Sequence, residues 1–167
     1  MNIIDIVKVE DHQKTKDLLL TCIEHDINTK PGLVQEDVTT DYFCNDNNRS
    51  YVSIAKDLLN PYINKFADTW KLSDLETCWW FQRYDRSQYH MWHNHPDTTF
   101  AMVYYLDMKY GDQGTELYNK KVDVTEGDVL FFPAFWPHRS ASNPYDSSKT
   151  VIVANLTFKS ISLPSYP

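Results

Sequence analysis

Apolar residues recur at intervals of three and four in the first half of the chain and gather into short β-rich runs in the second. Between about Asp11 and Ile27, the residues Leu18, Leu19, Cys22 and Ile23 fall on one side of a helix, with Asp11 placed to cap its start. From Tyr51 onward, Ile54, Ala55, Leu58, Leu59, Tyr62, Ile63, Phe66, Ala67 and Trp70 form a longer stripe, the pattern of a helix laid on a sheet. Asn60 and Pro61 in its middle predict a kink or a restart, because proline lacks the N–H that the helix needs. The segment 28–50 is polar, holds turn residues and reads mostly as loop.

From Glu76 the runs ETCWWFQRY, FAMVYYLD, GTELYN, DVLFFPAF and KTVIVANLTF follow at spacings of about ten, separated by YGDQG, TEGD and SNPYDSS. Strands so close together, with no helices between them, predict an antiparallel sandwich or barrel. The expected architecture is therefore an all-β core with flanking helices (α+β), the two amino-terminal helices buttressing one sheet from outside. Residues 1–75 would be mainly helical and 76–160 the β core of one domain spanning 1–167. TEGD, from Thr125 to Asp128, reads as a solvated hairpin.

Composition narrows the function classes. With 42% hydrophobic and 14% aromatic residues, 167 residues can bury a substantial core. A net charge of −7 disfavours nucleic acid and anionic lipid surfaces as partners. Cys22, Cys44 and Cys78 have no metal-binding or disulfide spacing and read as small reduced core residues. The start MNIIDIVKVEDHQK has no secretory pattern and no run approaches the ~20 apolar residues of a membrane span, so a soluble, cytoplasmic protein is expected. Four glycines, of which Gly111, Gly114 and Gly127 fall in turns, leave no phosphate-cradling loop.

The chemistry lies in the histidines. His90, His93 and His95 crowd into YHMWHNHP, and His138 follows the run DVLFFPAFWP at a turn set by Pro137. Imidazoles two apart on an extended chain face the same way, so His93 and His95 with His138 from a distant strand can close a three-sided metal site. Neutral imidazole suits iron, zinc or copper and leaves positions open for substrate. Asp97 is also two residues beyond His95, so an offset pair of His95 and Asp97 is an alternative. Trp92, Phe135 and Trp136 adjoin these histidines and are candidates for an apolar substrate mouth.

The stretch RYDRSQYHMWHNH resembles the first metal-ligand region of prolyl 4-hydroxylase-like 2-oxoglutarate and iron(II)-dependent oxygenases, with Tyr84, Gln88 and the pair His93 and His95 in the family's order. HNHPDTTFAMVYYLD, GDVLFFPAFWPHRS and KTVIVANLTF are similar to the bacterial and phage branch with an HxHP motif. The resemblance covers about Glu76 to Phe158. It implies a double-stranded β-helix, a jelly roll of cupin-like form, and a hydroxylase of unactivated C–H bonds, with peptidyl proline as one candidate substrate. Its cofactors would be Fe(II) and 2-oxoglutarate, with ascorbate as a reductant. By the same resemblance, His93, His95 and His138 would be the metal ligands, and Lys149, eleven residues after His138, would pair with the far carboxylate of 2-oxoglutarate. Tyr105 and Tyr84 would assist it, and Asn155 would contact co-substrate or substrate. The family usually carries an acid where His95 stands. Two other readings keep the β-fold: a cupin-like three-histidine metalloenzyme without 2-oxoglutarate, and a non-catalytic β-sandwich binding module.

Overall fold

A computed structural model describes residues 3–44, 48–109 and 114–161. The turn read at Gly111 lies outside them. The order of elements is β1 (Asp5–Lys8), α1 (His12–Thr29), β2 (Thr39–Thr40), α2 (Val52–Trp70), β3 (Leu72–Tyr84), β4 (His90–His93), β5 (Phe100–Asp107), β6 (Thr115–Leu117), β7 (Lys120–Lys121), β8 (Asp128–Pro133), β9 (His138–Ser140) and β10 (Lys149–Ile161). One sheet has the order β1-β8-β5-β10-β3-β2 and the other β4-β9-β6-β7, with antiparallel pairing throughout. This is the mostly β, jelly-roll architecture with two helices that the sequence predicts.

The larger sheet is covered on both faces, which explains why its strands are nearly continuously apolar rather than alternating. Met102, Tyr104, Leu106, Phe131, Ile152 and Ala154 point to one side and pack against Leu19 and Ile23 of α1 and Leu59, Ile63 and Phe66 of α2. Trp80, Tyr84, Val103, Tyr105, Leu130, Phe132, Val151 and Val153 point to the other and fill the space between the sheets. The period-two alternation of a strand thus divides each run into a helix-facing set and an interior set. Tyr84 and Tyr105, two of the candidate site residues, belong to the interior set.

Several local details depart from the sequence reading. Pro61 neither breaks nor restarts α2, which runs as one element from Val52 to Trp70. The ~3 kcal/mol cost of an internal proline is offset by neighbours such as Leu59 and Ile63, each fully buried and contributing about 2 kcal/mol. Asp11 sits at the N-cap of α1 without a side-chain cap bond, its carboxylate pairing with Lys14 instead. Lys71 turns the chain through a left-handed conformation (φ 56°) and lets β3 begin at Leu72, four residues before the expected start. Cys78 is exposed rather than part of the core, and Cys22 and Cys44 are half-buried; all three are free.

The TEGD turn is not a solvated hairpin. Glu126 accepts from Lys16 Nζ (2.8 Å), from the Met108 N–H (3.1 Å) and pairs with His12 Nε2 (3.1 Å), tying α1 to the sheet. Gly127 has φ +83°, and a Cβ there would press on the His12 ring at 3.1 Å. Among the described residues, no helix is long and apolar enough to cross a membrane.

Candidate metal centre and adjoining pockets

The edge strand β4 pairs with β9 so that His93 stands directly opposite His138, with an irregularity between His90 and His93. Two residues beyond β4, the His95 N–H donates to Ala134 O (2.9 Å), which holds the chain beside the end of β8. One ring nitrogen from each of His93, His95 and His138 lies within 4.8 Å of the others. The chain then turns, with Thr98 N–H bonding back to His95 O (3.3 Å). Asp97 is exposed in that turn and stands apart from the cluster, because the extended conformation that would align it with His95 ends at Pro96.

Each of the three rings has its Nδ1 against an oxygen. His93 Nδ1 meets Met91 O at 2.8 Å, His138 Nδ1 meets Trp136 O at 2.8 Å, and His95 Nδ1 meets Asn155 Oδ1 at 2.6 Å. A carbonyl oxygen only accepts, so Nδ1 carries the proton in all three and Nε2 keeps a free lone pair. Such outer partners fix tautomer and ring direction in metal-binding histidines. Burial disfavours the imidazolium of each ring: it lowers His93, it lowers His95 with His93 adding to the effect, and it pushes His138 down to about 3 with its neighbouring histidines adding. The donor set of three neutral, oriented imidazoles fits a divalent transition metal.

A fourth histidine belongs to this surface. His90 stacks on His93 at 4.0 Å between ring centroids and is pushed down to about 4 by burial and by His93 and His95. Tyr84 Oη donates to Gln82 Oε1 (2.7 Å), and Gln82 Nε2 meets His90 Nδ1 (3.0 Å). The sequence gives no signal for this chain of contacts, since Gln82 and His90 are joined only by the folding of β3 against β4.

The other candidates lie on the interior side. Lys149 opens β10 opposite Tyr84, is 2% exposed, donates to Ser140 Oγ (2.7 Å) and lies 4.6 Å over the Tyr84 ring. Ser140 is two residues along β9 from His138, about 7 Å on an extended strand, a span comparable to a five-carbon dicarboxylate. Burial pushes the phenols of Tyr84 and Tyr105 upward, Tyr105 to about 12, so both stay protonated. Tyr105 Oη donates to Thr115 Oγ1 (2.8 Å) and accepts from the Thr115 N–H (3.1 Å). Asn155 contacts His95, a partnership that its position in the sequence does not reveal.

The aromatic mouth differs from expectation. Trp92 is on the outer side of the small sheet, with Arg139 stacked over it at 4.9 Å and Arg139 paired to Glu116 at 2.7 Å. Phe135 is exposed and Trp136 packs partly on the interior core. None of the three lines the 220 Å³ pocket that opens on His90, His93 and His95. Its walls are Val38, Thr40, Tyr42 and Phe43 from the segment before α2, with Trp80, Gln82 and Asn94. Adjacency in sequence misleads here because neighbouring residues of β4 face opposite ways and Phe135 and Trp136 lie in the turn between β8 and β9. Gln88 holds that wall in place, its Nε2 donating to Gln35 O (3.2 Å) and Glu36 O (3.4 Å).

This arrangement of two sheets and two helices is the double-stranded β-helix found in solved 2-oxoglutarate and iron(II) oxygenases and prolyl hydroxylases. A viral collagen prolyl hydroxylase from Paramecium Bursaria Chlorella virus-1, in a 2OG complex, superposes with a TM-score of 0.66 at 11% identity, covering 93% of this chain and 95% of that one. A prolyl-4-hydroxylase from Pseudomonas putida gives 0.65 at 11% identity, covering 94% and 93%. AviO1 from Streptomyces viridochromogenes Tue57 gives 0.66 at 13% identity, covering 98% and 92%. At these identities the likeness is one of fold. No family model and no curated protein matches the sequence.

Proposed function

We propose that this chain is a non-haem Fe(II), 2-oxoglutarate-dependent oxygenase that hydroxylates an unactivated C–H bond. The observation that carries the reading is the set of three converging histidines whose Nδ1 protons are all engaged, beside a buried lysine. His93, His95 and His138 would hold iron through Nε2. The metal with 2-oxoglutarate would supply oxygen activation coupled to oxidative decarboxylation. The Lys149 ammonium, fixed by Ser140 and the Tyr84 ring, neutralises the far carboxylate of the co-substrate and so orients it. Tyr84 and Tyr105 keep their hydroxyl protons and act as neutral donors or packing groups there. Asn155 fixes the His95 tautomer, so it acts on the ligand and not on the co-substrate. The apolar interior around Val103, Val151 and Phe132 excludes water from the reacting groups.

Prolyl hydroxylases among the structural neighbours favour a peptide or protein as the substrate, with peptidyl proline as one candidate. The test is succinate formation by purified protein supplied with Fe(II), ascorbate, oxygen and 2-oxoglutarate. Succinate matching the 2-oxoglutarate consumed, and lost in His138→Ala, supports the proposal. The three-histidine set, with no carboxylate, also favours a second reading, a cupin-like metalloenzyme that needs no 2-oxoglutarate. Iron-dependent oxygen uptake without succinate would select it.

A further inference from the structure

The pocket beside the histidines has a definite chemical character. Among the described residues, none of its ten lining positions is Lys, Arg, Asp or Glu. Thr40, Gln82 and Asn94 among its polar side chains are already engaged with the protein. Thr40 Oγ1 donates to Phe81 O (2.7 Å) and accepts from the Tyr42 N–H (3.2 Å). Gln82 uses its oxygen on Tyr84 and its nitrogen on His90, and Asn94 Nδ2 donates to Phe135 O (3.3 Å). A ligand entering here finds few free hydrogen-bonding groups and no counter-charge on the side chains of the walls.

Aromatic rings form a continuous wall from solvent to the metal ligands. Phe43 is 70% exposed and meets Tyr42 edge-on at 4.8 Å; Tyr42 meets Trp80 at 5.0 Å, and Trp80 lies 6.0 Å from His95. The volume, 220 Å³, is below the ~300 Å³ at which pockets begin to hold whole drug-sized molecules. It suits a group the size of one side chain.

We infer that this pocket selects an uncharged, compact hydrocarbon group, presented by a larger molecule whose polar remainder stays outside, and that Tyr42 and Phe43 determine this specificity. The inference deepens the oxygenase reading, on which it rests for the role of the neighbouring histidines. An aliphatic chain or saturated ring lying on the Phe43–Tyr42–Trp80 wall would bring a C–H bond toward His93 and His95. An ammonium at the same depth would lose its water with nothing to replace it, and a carboxylate would find no counter-charge on the walls, the metal's open positions being taken by 2-oxoglutarate.

Saturation-transfer NMR on the full chain tests this with N-acetyl-leucinamide, N-acetyl-lysinamide and N-acetyl-glutamic acid amide as probes. Measurements are made with the protein alone and with Zn(II) plus 2-oxoglutarate. The neutral probe is expected to bind about tenfold more tightly than either charged one. Phe43→Ala and Tyr42→Ala should weaken it about threefold to tenfold with 2-oxoglutarate affinity unchanged, and exposed Phe43 can be removed without opening the core. Equal or tighter binding of a charged probe, insensitivity to both variants, or no binding of any probe would overturn the inference. If the selectivity appears while Zn(II) and 2-oxoglutarate fail to bind, the pocket assignment stands and the oxygenase reading falls.

Discussion

Replacing Asn155 by leucine removes the acceptor for His95 Nδ1 at nearly constant volume. The native contact is 2.6 Å long and is the one ligand–partner bond of the three made by a side chain, so it is the one that mutation can delete without moving backbone. Two effects follow. The imidazole is released to sample the tautomer with Nε2 protonated, which alone costs about twofold in metal affinity when the two forms are equally populated. The ring also loses its fixed direction, and removal of such outer partners typically costs about 10- to 100-fold in total, or about 1.4–2.7 kcal/mol. Asn155→Asp keeps an acceptor at the same place and adds negative charge, so it should bind metal at least as tightly as the native protein. The assay is competitive titration of metal-free protein with Co(II) or Zn(II) against a chelator of known affinity, with a thermal melt to check folding. Native affinity in Asn155→Leu, within twofold, would refute the assignment of Asn155 as the orienting partner; so would weaker binding in Asn155→Asp than in Asn155→Leu.

Lys149→Met should weaken 2-oxoglutarate binding by about 30-fold or more while leaving metal affinity unchanged, read by calorimetry with Mn(II)-loaded protein; equal losses of both would contradict its assignment. Glu126 should shape the acid limb of stability. Partial burial pushes its carboxyl up, but the bonds from Lys16, the Met108 N–H and His12 outweigh this and hold it at about 2 rather than 4.5. Its folded value is depressed, so its contribution, about 1 kcal/mol once solvent screening of this partly exposed group is discounted, is complete above about pH 4.5 and disappears as pH falls toward 2. Denaturant midpoints between those values should flatten in Glu126→Gln. Fully buried Asp41 accepts from Tyr51 Oη (2.8 Å) and the Phe81 N–H (2.9 Å) and pairs with Arg49 (3.1 Å), so Asp41→Ala should cost about 3–5 kcal/mol in urea unfolding by leaving Arg49 uncompensated.

Elements governed by local periodicity were legible in the sequence. The stripe from Ile54 to Trp70 became α2, FAMVYYLD became β5 with the same bounds, and the antiparallel β core with flanking helices followed from strand spacing, the resemblance adding its jelly-roll form. Short strands were not legible, since β1, β2 and β9 hold four, two and three residues and owe their existence to the neighbours they pair with. The site divides in the same way. An HxH pair and a later histidine announce a metal cluster through side-chain chemistry, and the structure brings those three rings together. Tyr42, Phe43 and Trp80 reach the same pocket from distant parts of the chain and carry no spacing that links them to the histidines. Trp92 and Phe135 are suggested by adjacency alone; the pleat of β4 turns Trp92 away and Phe135 sits exposed in the turn after β8.

The central claim is that the three histidines hold a divalent metal that creates a 2-oxoglutarate site next to Lys149. Calorimetric titration of 2-oxoglutarate into the full chain under anaerobic conditions, with and without one equivalent of Mn(II), tests it most directly. The account predicts one 2-oxoglutarate bound per chain with metal, much weaker binding without it, and loss of both ligands in a variant lacking His93 and His138. A folded protein that takes up one Mn(II) through these histidines yet shows no metal-dependent binding of 2-oxoglutarate would contradict it.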